Sequence, residues 1–151
     1  MPRLPSSPPA GVAVSTITYR VPFYDTDAMQ IVHHARYVHY LELARIVFLD
    51  EHDRPYREYV AEGLHYAVTG MQLEYQMAAR FDDRLEVTCW LDWLKRVSLS
   101  IGYVILRGSD LICAATTEHA MVSNEGKLTP IPPVRREKLG SLIPRPPQPP
   151  R

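Results

Sequence analysis

The hydrophobic pattern of this chain changes its period twice, and the order of these changes constrains the fold more than any other feature. Residues 16–23 alternate polar and apolar side chains, as in a strand with one buried face. From about residue 35 to residue 50, apolar side chains recur at i, i+3 and i+4 and also occupy the other faces. Such a pattern predicts a helix that is enclosed by protein.

Period-2 alternation returns after this helix. Four more predicted strands begin near Met71, Leu85, Val97 and Leu111. Short turns between them, such as residues 108–110, favour an antiparallel meander. The whole pattern predicts an α+β fold in which a curved, antiparallel five-stranded sheet wraps around one long central helix.

Prolines concentrate at both ends of the chain and predict its domain organisation. Because proline lacks an amide donor, Pro-rich segments are poor members of a sheet. We therefore expect flexible tails at residues 1–13 and 141–151 around one domain at residues 14–140. A length of 151 residues suits a single domain.

The composition excludes several classes of function. Lys plus Arg (17) equals Asp plus Glu (17), so the basic excess that drives nucleic-acid binding is absent. No apolar run approaches the roughly 20 residues that span a bilayer, and the first residues lack the apolar core of a signal peptide. Cys89 and Cys113 are not spaced as zinc ligands. We expect a cytoplasmic protein with no membrane partner and no metal site.

Titratable side chains concentrate between the first strand and the helix. Residues 24–37 read Tyr-Asp-Thr-Asp-Ala-Met-Gln-Ile-Val-His-His-Ala-Arg-Tyr. A helix N-terminus presents unpaired N–H groups and partial positive charge, which can stabilise an oxyanion. A neighbouring carboxylate can act as a nucleophile or as a base for water. This combination is suited to acyl transfer to water.

The same segment resembles the signature of hotdog-fold enzymes of the 4-hydroxybenzoyl-CoA thioesterase type. The resemblance rests on residues 24–28, on residues 31–34 with Tyr37, and on the helix segment 40–45. It extends over roughly residues 15–133 and implies an acyl-CoA thioesterase. It also implies a homodimer, commonly assembled into a tetramer, with the active site at the subunit interface. CoA would then be part of the substrate and not a cofactor.

The resemblance also implies roles for individual residues. Asp27 matches the catalytic carboxylate, as nucleophile or general base, and His34 matches the residue at the start of the helix whose backbone N–H binds the oxyanion. The expected substrate-binding residues are Gln30, Val32, His33, Tyr37, Lys95, Arg96 and Ser98. No metal and no organic cofactor are expected.

One residue departs from the family pattern. Gln30 occupies a position where the family usually has glycine, which permits a positive φ and a close backbone approach. Gln30 must therefore adopt an ordinary conformation or accept backbone strain.

Alternative interpretations stay open at this stage. Hotdog folds also support hydration or dehydration of CoA or carrier-protein thioesters, for which His33 or His34 would be the acid/base group. Gln30 is the best support for a third hypothesis, a module that binds acyl thioesters without hydrolysing them. Asp25 is expected to be a structural turn residue, and Glu42 is expected to pair with Arg45.

Overall fold

The computed structural model describes residues 3–144 and residue 150. In chain order the elements are β1 (Val14–Arg20), a 3-10 turn (Phe23–Asp25), α1 (Arg36–His52), α2 (Tyr56–Ala61), β2 (Leu64–Tyr75), β3 (Arg84–Leu94), β4 (Ser98–Arg107), β5 (Asp110–Ser123) and α3 (Pro133–Gly140). The five strands form one antiparallel sheet around α1, which confirms the predicted α+β hotdog fold.

The order of strands in the sheet is β1-β3-β4-β5-β2. The predicted meander is confirmed for β3, β4 and β5. It is wrong for β2, which pairs with β5 at the opposite edge of the sheet from β1. The connection at residues 76–83 is longer than a hairpin turn, and it contacts the segment before α1, where Val32 donates to the carbonyl of Ala79 at 2.8 Å.

One face of α1 packs on the concave side of the sheet. Its buried side chains are Tyr37, Tyr40, Leu41, Ala44, Phe48 and Leu49. The opposite face is open, because Leu43 is 47% exposed and His39 and Glu42 are exposed as well. The prediction of a helix enclosed on all sides is therefore wrong for the single chain. Glu42 and Arg45 do form the predicted pair, at 3.7 Å.

The structure has two features near the ends of the chain that were not predicted from the sequence. α3 was not predicted, and it is held by Arg135, whose guanidinium lies 3.1 Å from the buried carboxylate of Asp53. Near the N-terminus, the Leu4 N–H donates to the Glu74 carboxylate at 2.9 Å. Of the predicted C-terminal tail, residues 145–149 and 151 lie outside the described residues, and the domain bounds stay a prediction.

Within the described part of the chain, no helix is long and apolar enough to cross a bilayer.

Candidate active site

The connection between β1 and α1 forms a small closed loop with Asp27 at its base. Thr26 and Val32 form an isolated bridge, and the Asp27 N–H donates to the carbonyl of Ile31 at 2.9 Å. Oδ1 of the partly exposed Asp27 accepts the Met29 N–H at 2.9 Å. Oδ2 has no hydrogen-bond donor among the described residues. The loop therefore orients the Asp27 carboxylate and leaves one of its oxygens available.

Gln30 adopts a strained backbone conformation and not an ordinary one. Its φ is 62°, in the left-handed region that glycine adopts without cost. Its N–H donates to the carbonyl of Asp27 at 2.9 Å, which closes the loop, and its side chain is exposed. The turn therefore closes with Gln30 in the left-handed conformation.

Asp25 is buried and connects this loop to β1 and α1. Its Oδ2 accepts the hydroxyl of Tyr19 at 2.9 Å and that of Tyr40 at 2.6 Å. Its Oδ1 lies 3.8 Å from Nε of Arg36. Burial, followed by these contacts with Asp25, raises the pKa of both tyrosines, so both hydroxyls remain donors at neutral pH. These contacts support the interpretation of Asp25 as a structural residue.

The backbone before α1 leaves one amide unused. Four of the five N–H groups of residues 32–36 donate hydrogen bonds: Val32 to Ala79 O at 2.8 Å, His33 to Asp25 O at 2.9 Å, Ala35 to His33 Nδ1 at 3.2 Å and Arg36 to His33 O at 2.9 Å. The His34 N–H has no acceptor among the described residues. An unpaired amide in this position can bind a developing oxyanion.

The expectation that His34 begins the helix needs a correction. α1 begins at Arg36 with Ala35 as its N-cap, and His34 lies in the preceding turn. The turn exists because the carbonyl of His33 accepts the N–H of Arg36, three residues later, at 2.9 Å. The His34 N–H therefore lies two residues before the first residue of α1.

Asp27 and His34 both line a cavity of about 280 Å³. Its walls come from the loop, the start of α1 and the end of β2: Asp27, Met29, Ile31, Val32, His34, Tyr37, Tyr75, Gln76, Met77 and Ala78. Of the predicted residues, Asp27, Val32, His34 and Tyr37 therefore share one cavity. Gln30 and His33 are neighbours of lining residues without lining it themselves.

Tyr37 forms part of the inner wall. Its side chain is 3% exposed, and its hydroxyl accepts the Ala79 N–H at 3.2 Å. Burial raises the pKa of Tyr37. The Tyr37 hydroxyl therefore stays protonated at neutral pH and retains its own proton to donate.

Lys95, Arg96 and Ser98 lie far from this cavity in the same chain. β3 starts at Arg84, opposite the site end of β1, and its eleven residues lead away toward Lys95. At about 3.3 Å per residue the strand spans roughly 35 Å. One chain alone therefore does not bring these three residues to Asp27.

Sequence reasoning missed the wall that β2 and the following connection supply. Tyr75, Gln76, Met77 and Ala78 line the cavity. The alternating pattern around Tyr75 indicates a strand, but only the order of strands in the sheet places the end of that strand beside α1. No local signal in the sequence specifies that order.

A second cavity, of about 140 Å³, lies farther along α1. It is lined by Glu42, Arg45, Ile46, Leu49, Tyr56, Tyr66, Leu99, Ile101 and His119. It contains none of the predicted site residues. Among the described residues, no three His, Cys, Asp or Glu side chains gather as potential metal ligands.

Comparisons with known proteins identify the family of the chain. The family model of the thioesterase-like superfamily matches residues 21–139. The acyl-CoA thioesterase YbgC of Haemophilus influenzae is 31% identical over 113 residues, which cover 74% of this chain and 82% of that protein.

Two solved structures are similar over most of the chain. A hypothetical protein from Thermus thermophilus has a TM-score of 0.83 and 29% identity, covering 88% of this chain and 100% of that one. A hypothetical protein from Aquifex aeolicus has a TM-score of 0.78 and 35% identity, covering 82% and 98%. With the family model matching most of its length, this chain belongs to the thioesterase-like superfamily.

Proposed function

We propose that this protein hydrolyses an acyl-CoA thioester to a free carboxylic acid and CoA, without a metal or an organic cofactor. Asp27 is the nucleophile or the general base, and the His34 N–H is the oxyanion donor. Membership of the thioesterase-like superfamily supports the reaction class. The observation that carries the residue roles is that Asp27 and His34 line the same cavity, with one Asp27 oxygen and the His34 N–H both unpaired.

The chemistry requires only these two groups. The Asp27 carboxylate attacks the thioester carbon, or it takes a proton from a water molecule that attacks. In either case the C=O electron pair moves onto oxygen, where the His34 N–H stabilises the charge. The C–S bond then breaks and CoA leaves as a thiolate. The thiolate takes the proton held by Asp27 in the general-base case and a proton from solvent in the nucleophilic case. In the nucleophilic case, water subsequently hydrolyses the acyl-aspartyl anhydride.

The proposal includes a homodimer joined through β2. β2 is an edge strand, and its Val68, Met71 and Tyr75 side chains are each more than 40% exposed. A long edge strand with exposed apolar residues favours pairing with another strand. An antiparallel pair of β2 strands would satisfy the open edge of both copies.

Such a dimer would also explain the distant substrate-binding residues. Ser98 pairs with Ala120, and Ala120 pairs with Ala67 near the start of β2, whereas Tyr75 ends β2 beside the cavity. Antiparallel pairing about the middle of β2 places the start of one copy beside the end of the other. The partner's Lys95 and the partner's Arg96 would then approach this cavity, where cations suit the phosphates of CoA.

The experiment is a thiol-release assay on a panel of short-chain, long-chain and aromatic acyl-CoAs. We expect Asp27→Asn to lower kcat at least a hundredfold, because it removes both the negative charge and the basic site. Asp92→Asn is the matched control, since it makes the same change on an exposed side chain of β3. Undiminished turnover by a folded Asp27→Asn variant of unchanged oligomeric size would refute the proposal.

Product analysis separates the alternatives. His34 lines the cavity, and an imidazole can act as the acid/base group of a hydratase. Hydration of an enoyl thioester is therefore the competing reaction. Hydration retains the thioester bond and releases no thiol, whereas hydrolysis releases one thiol per turnover. Tight binding of acyl-CoA without either product would favour the binding module. The cytoplasmic location remains a prediction of the sequence.

A further inference from the structure

The peptide group between His34 and Ala35 is held at both of its polar atoms. The Tyr75 hydroxyl donates to the carbonyl of His34 at 2.9 Å. The N–H of Ala35 donates to Nδ1 of the His33 imidazole at 3.2 Å. Both contacts are made by side chains. A single substitution can therefore remove either contact while the peptide group itself is retained.

The preceding peptide group, between His33 and His34, contains the amide assigned as the oxyanion donor. Its carbonyl accepts the N–H of Arg36 at 2.9 Å. Three of the four polar atoms of these two peptides therefore have partners among the described residues. The fourth is the His34 N–H. Rotation of either peptide would change the direction of that N–H, so the partners of the other three atoms fix it.

Tyr75 is held by its neighbours in the cavity, although its side chain is 48% exposed. It ends β2, lines the cavity, and its ring packs edge-to-face on Tyr37 with 5.2 Å between centroids. Tyr37 is in turn fixed by burial and by the Ala79 N–H. Burial raises the pKa of Tyr75, so its hydroxyl remains a donor at neutral pH.

We infer that Tyr75 and His33 are positioning residues, which hold the His34–Ala35 peptide so that the His34 N–H stays aligned with the oxyanion. The inference rests on the proposed function. It also assigns His33 a role other than the substrate contact implied by the family resemblance. His33 acts through its Nδ1 acceptor, and Tyr75 acts through its hydroxyl.

Kinetics of Tyr75→Phe test the hydroxyl. The variant retains the ring that packs on Tyr37 and loses only the hydrogen bond. Because a misaligned oxyanion donor costs less than the 10²–10³ of a deleted one, we expect kcat to fall roughly tenfold with KM within about twofold. The matched control is Tyr56→Phe, which removes a hydroxyl that accepts the Tyr66 N–H at 3.1 Å, in the other cavity. An unchanged kcat in Tyr75→Phe would overturn this part.

Two substitutions at His33 test the acceptor. Asparagine can accept the N–H two residues later through its side-chain oxygen, whereas alanine has no acceptor. We expect His33→Ala to lower kcat severalfold and His33→Asn to restore most of the loss. A rise in KM in both variants with unchanged kcat would instead indicate a substrate contact and overturn the positioning role.

Amide hydrogen exchange separates this inference from the proposed function, because it needs no substrate. The Ala35 amide should exchange slowly in the parent protein and at least tenfold faster in His33→Ala, while the Arg36 amide is unchanged. If Asp27→Asn abolishes hydrolysis but these exchange rates and the Tyr75→Phe kinetics match the parent, the proposed function stands and the positioning roles fail. If no acyl-CoA is hydrolysed but Ala35 exchange responds as stated, the support of the peptide is real and the proposed function fails.

Discussion

The Tyr40 hydroxyl on α1 donates a 2.6 Å hydrogen bond to the buried carboxylate of Asp25, which lies two residues before Asp27. Tyr19 on β1 donates to the same oxygen at 2.9 Å. The segment that carries the proposed catalytic carboxylate is therefore fixed to the helix and to the first strand by one buried charge. A buried carboxylate is costly unless it is hydrogen-bonded, so these two hydroxyls stabilise the loop.

Tyr40→Phe should destabilise the protein by about 2 kcal/mol, because a hydrogen bond to a charged group contributes about 1.5–3 kcal/mol. The free energy of unfolding, measured in urea, provides the check. Tyr24→Phe is the control, since that side chain is 74% exposed and its hydroxyl has no partner among the described residues. Equal stability of the two variants would show that Asp25 does not depend on Tyr40.

Gln30→Gly should stabilise the protein by about 1 kcal/mol, because a residue at φ 62° without Cβ avoids the left-handed strain. Gln30→Ala keeps a Cβ at the same φ and should bring no such gain. Thermal unfolding of the three proteins compares them directly. A gain in Gln30→Ala as large as that in Gln30→Gly would mean that the amide side chain, and not the backbone, is the source of the strain.

His119 makes stability depend on pH. Its side chain is buried, and burial lowers its pKa from 6.5 to about 4, with the Arg45 guanidinium acting in the same direction. Below pH 6.5 the unfolded chain binds a proton that the folded chain excludes. The free energy of unfolding should therefore fall as the pH falls from about 6.5 to about 4, by up to roughly 3 kcal/mol.

His119→Gln removes this titration, so its stability should change less over that range, whereas the exposed His39→Gln should behave as the parent does. Urea unfolding at pH 7 and pH 5 suffices for the comparison. Parallel pH profiles for His119→Gln and the parent would contradict the assignment.

Gly102→Ala should destabilise the protein by about 1–3 kcal/mol, the usual cost of overpacking. A Cβ at position 102 would lie 2.5 Å from the ring of Trp90, which is itself 2% exposed. At Gly70, also in a strand, the nearest heavy atom would be the Glu118 carboxylate oxygen at an ordinary 3.6 Å. Gly70→Ala therefore serves as the control, and a similar loss in both variants would exclude the contact with Trp90 as the cause.

Local periodicity predicted five strands, the long helix and the loop between β1 and α1, although β2 begins at Leu64 and not near Met71. It could not predict that β2 crosses to the far edge, because strand order depends on which long-range pairing buries more surface. It also marked all faces of α1 as apolar, although one face is open in the single chain. Apolar periodicity does not distinguish a side chain that faces its own sheet from one available to another subunit.

The candidate site could likewise be predicted from the sequence only in part. Asp27 could be identified from its neighbours in sequence, because the loop that holds it is local. The free His34 N–H could not, since it is recognised only after the acceptors of the surrounding amides are known. One of these acceptors, the carbonyl of Ala79, lies outside residues 24–37. The support from Tyr75 likewise depends on the position of β2.

The most direct test is the distance between the thioester carbonyl oxygen and the backbone nitrogen of His34 in a crystal structure of Asp27→Asn with an uncleaved acyl-CoA. We predict about 3 Å, the separation at which an amide stabilises an oxyanion, with the side chain of residue 27 beside the carbonyl carbon. A thioester bound in the cavity near His119, or one whose carbonyl oxygen lies beyond the reach of the His34 amide, would contradict the account.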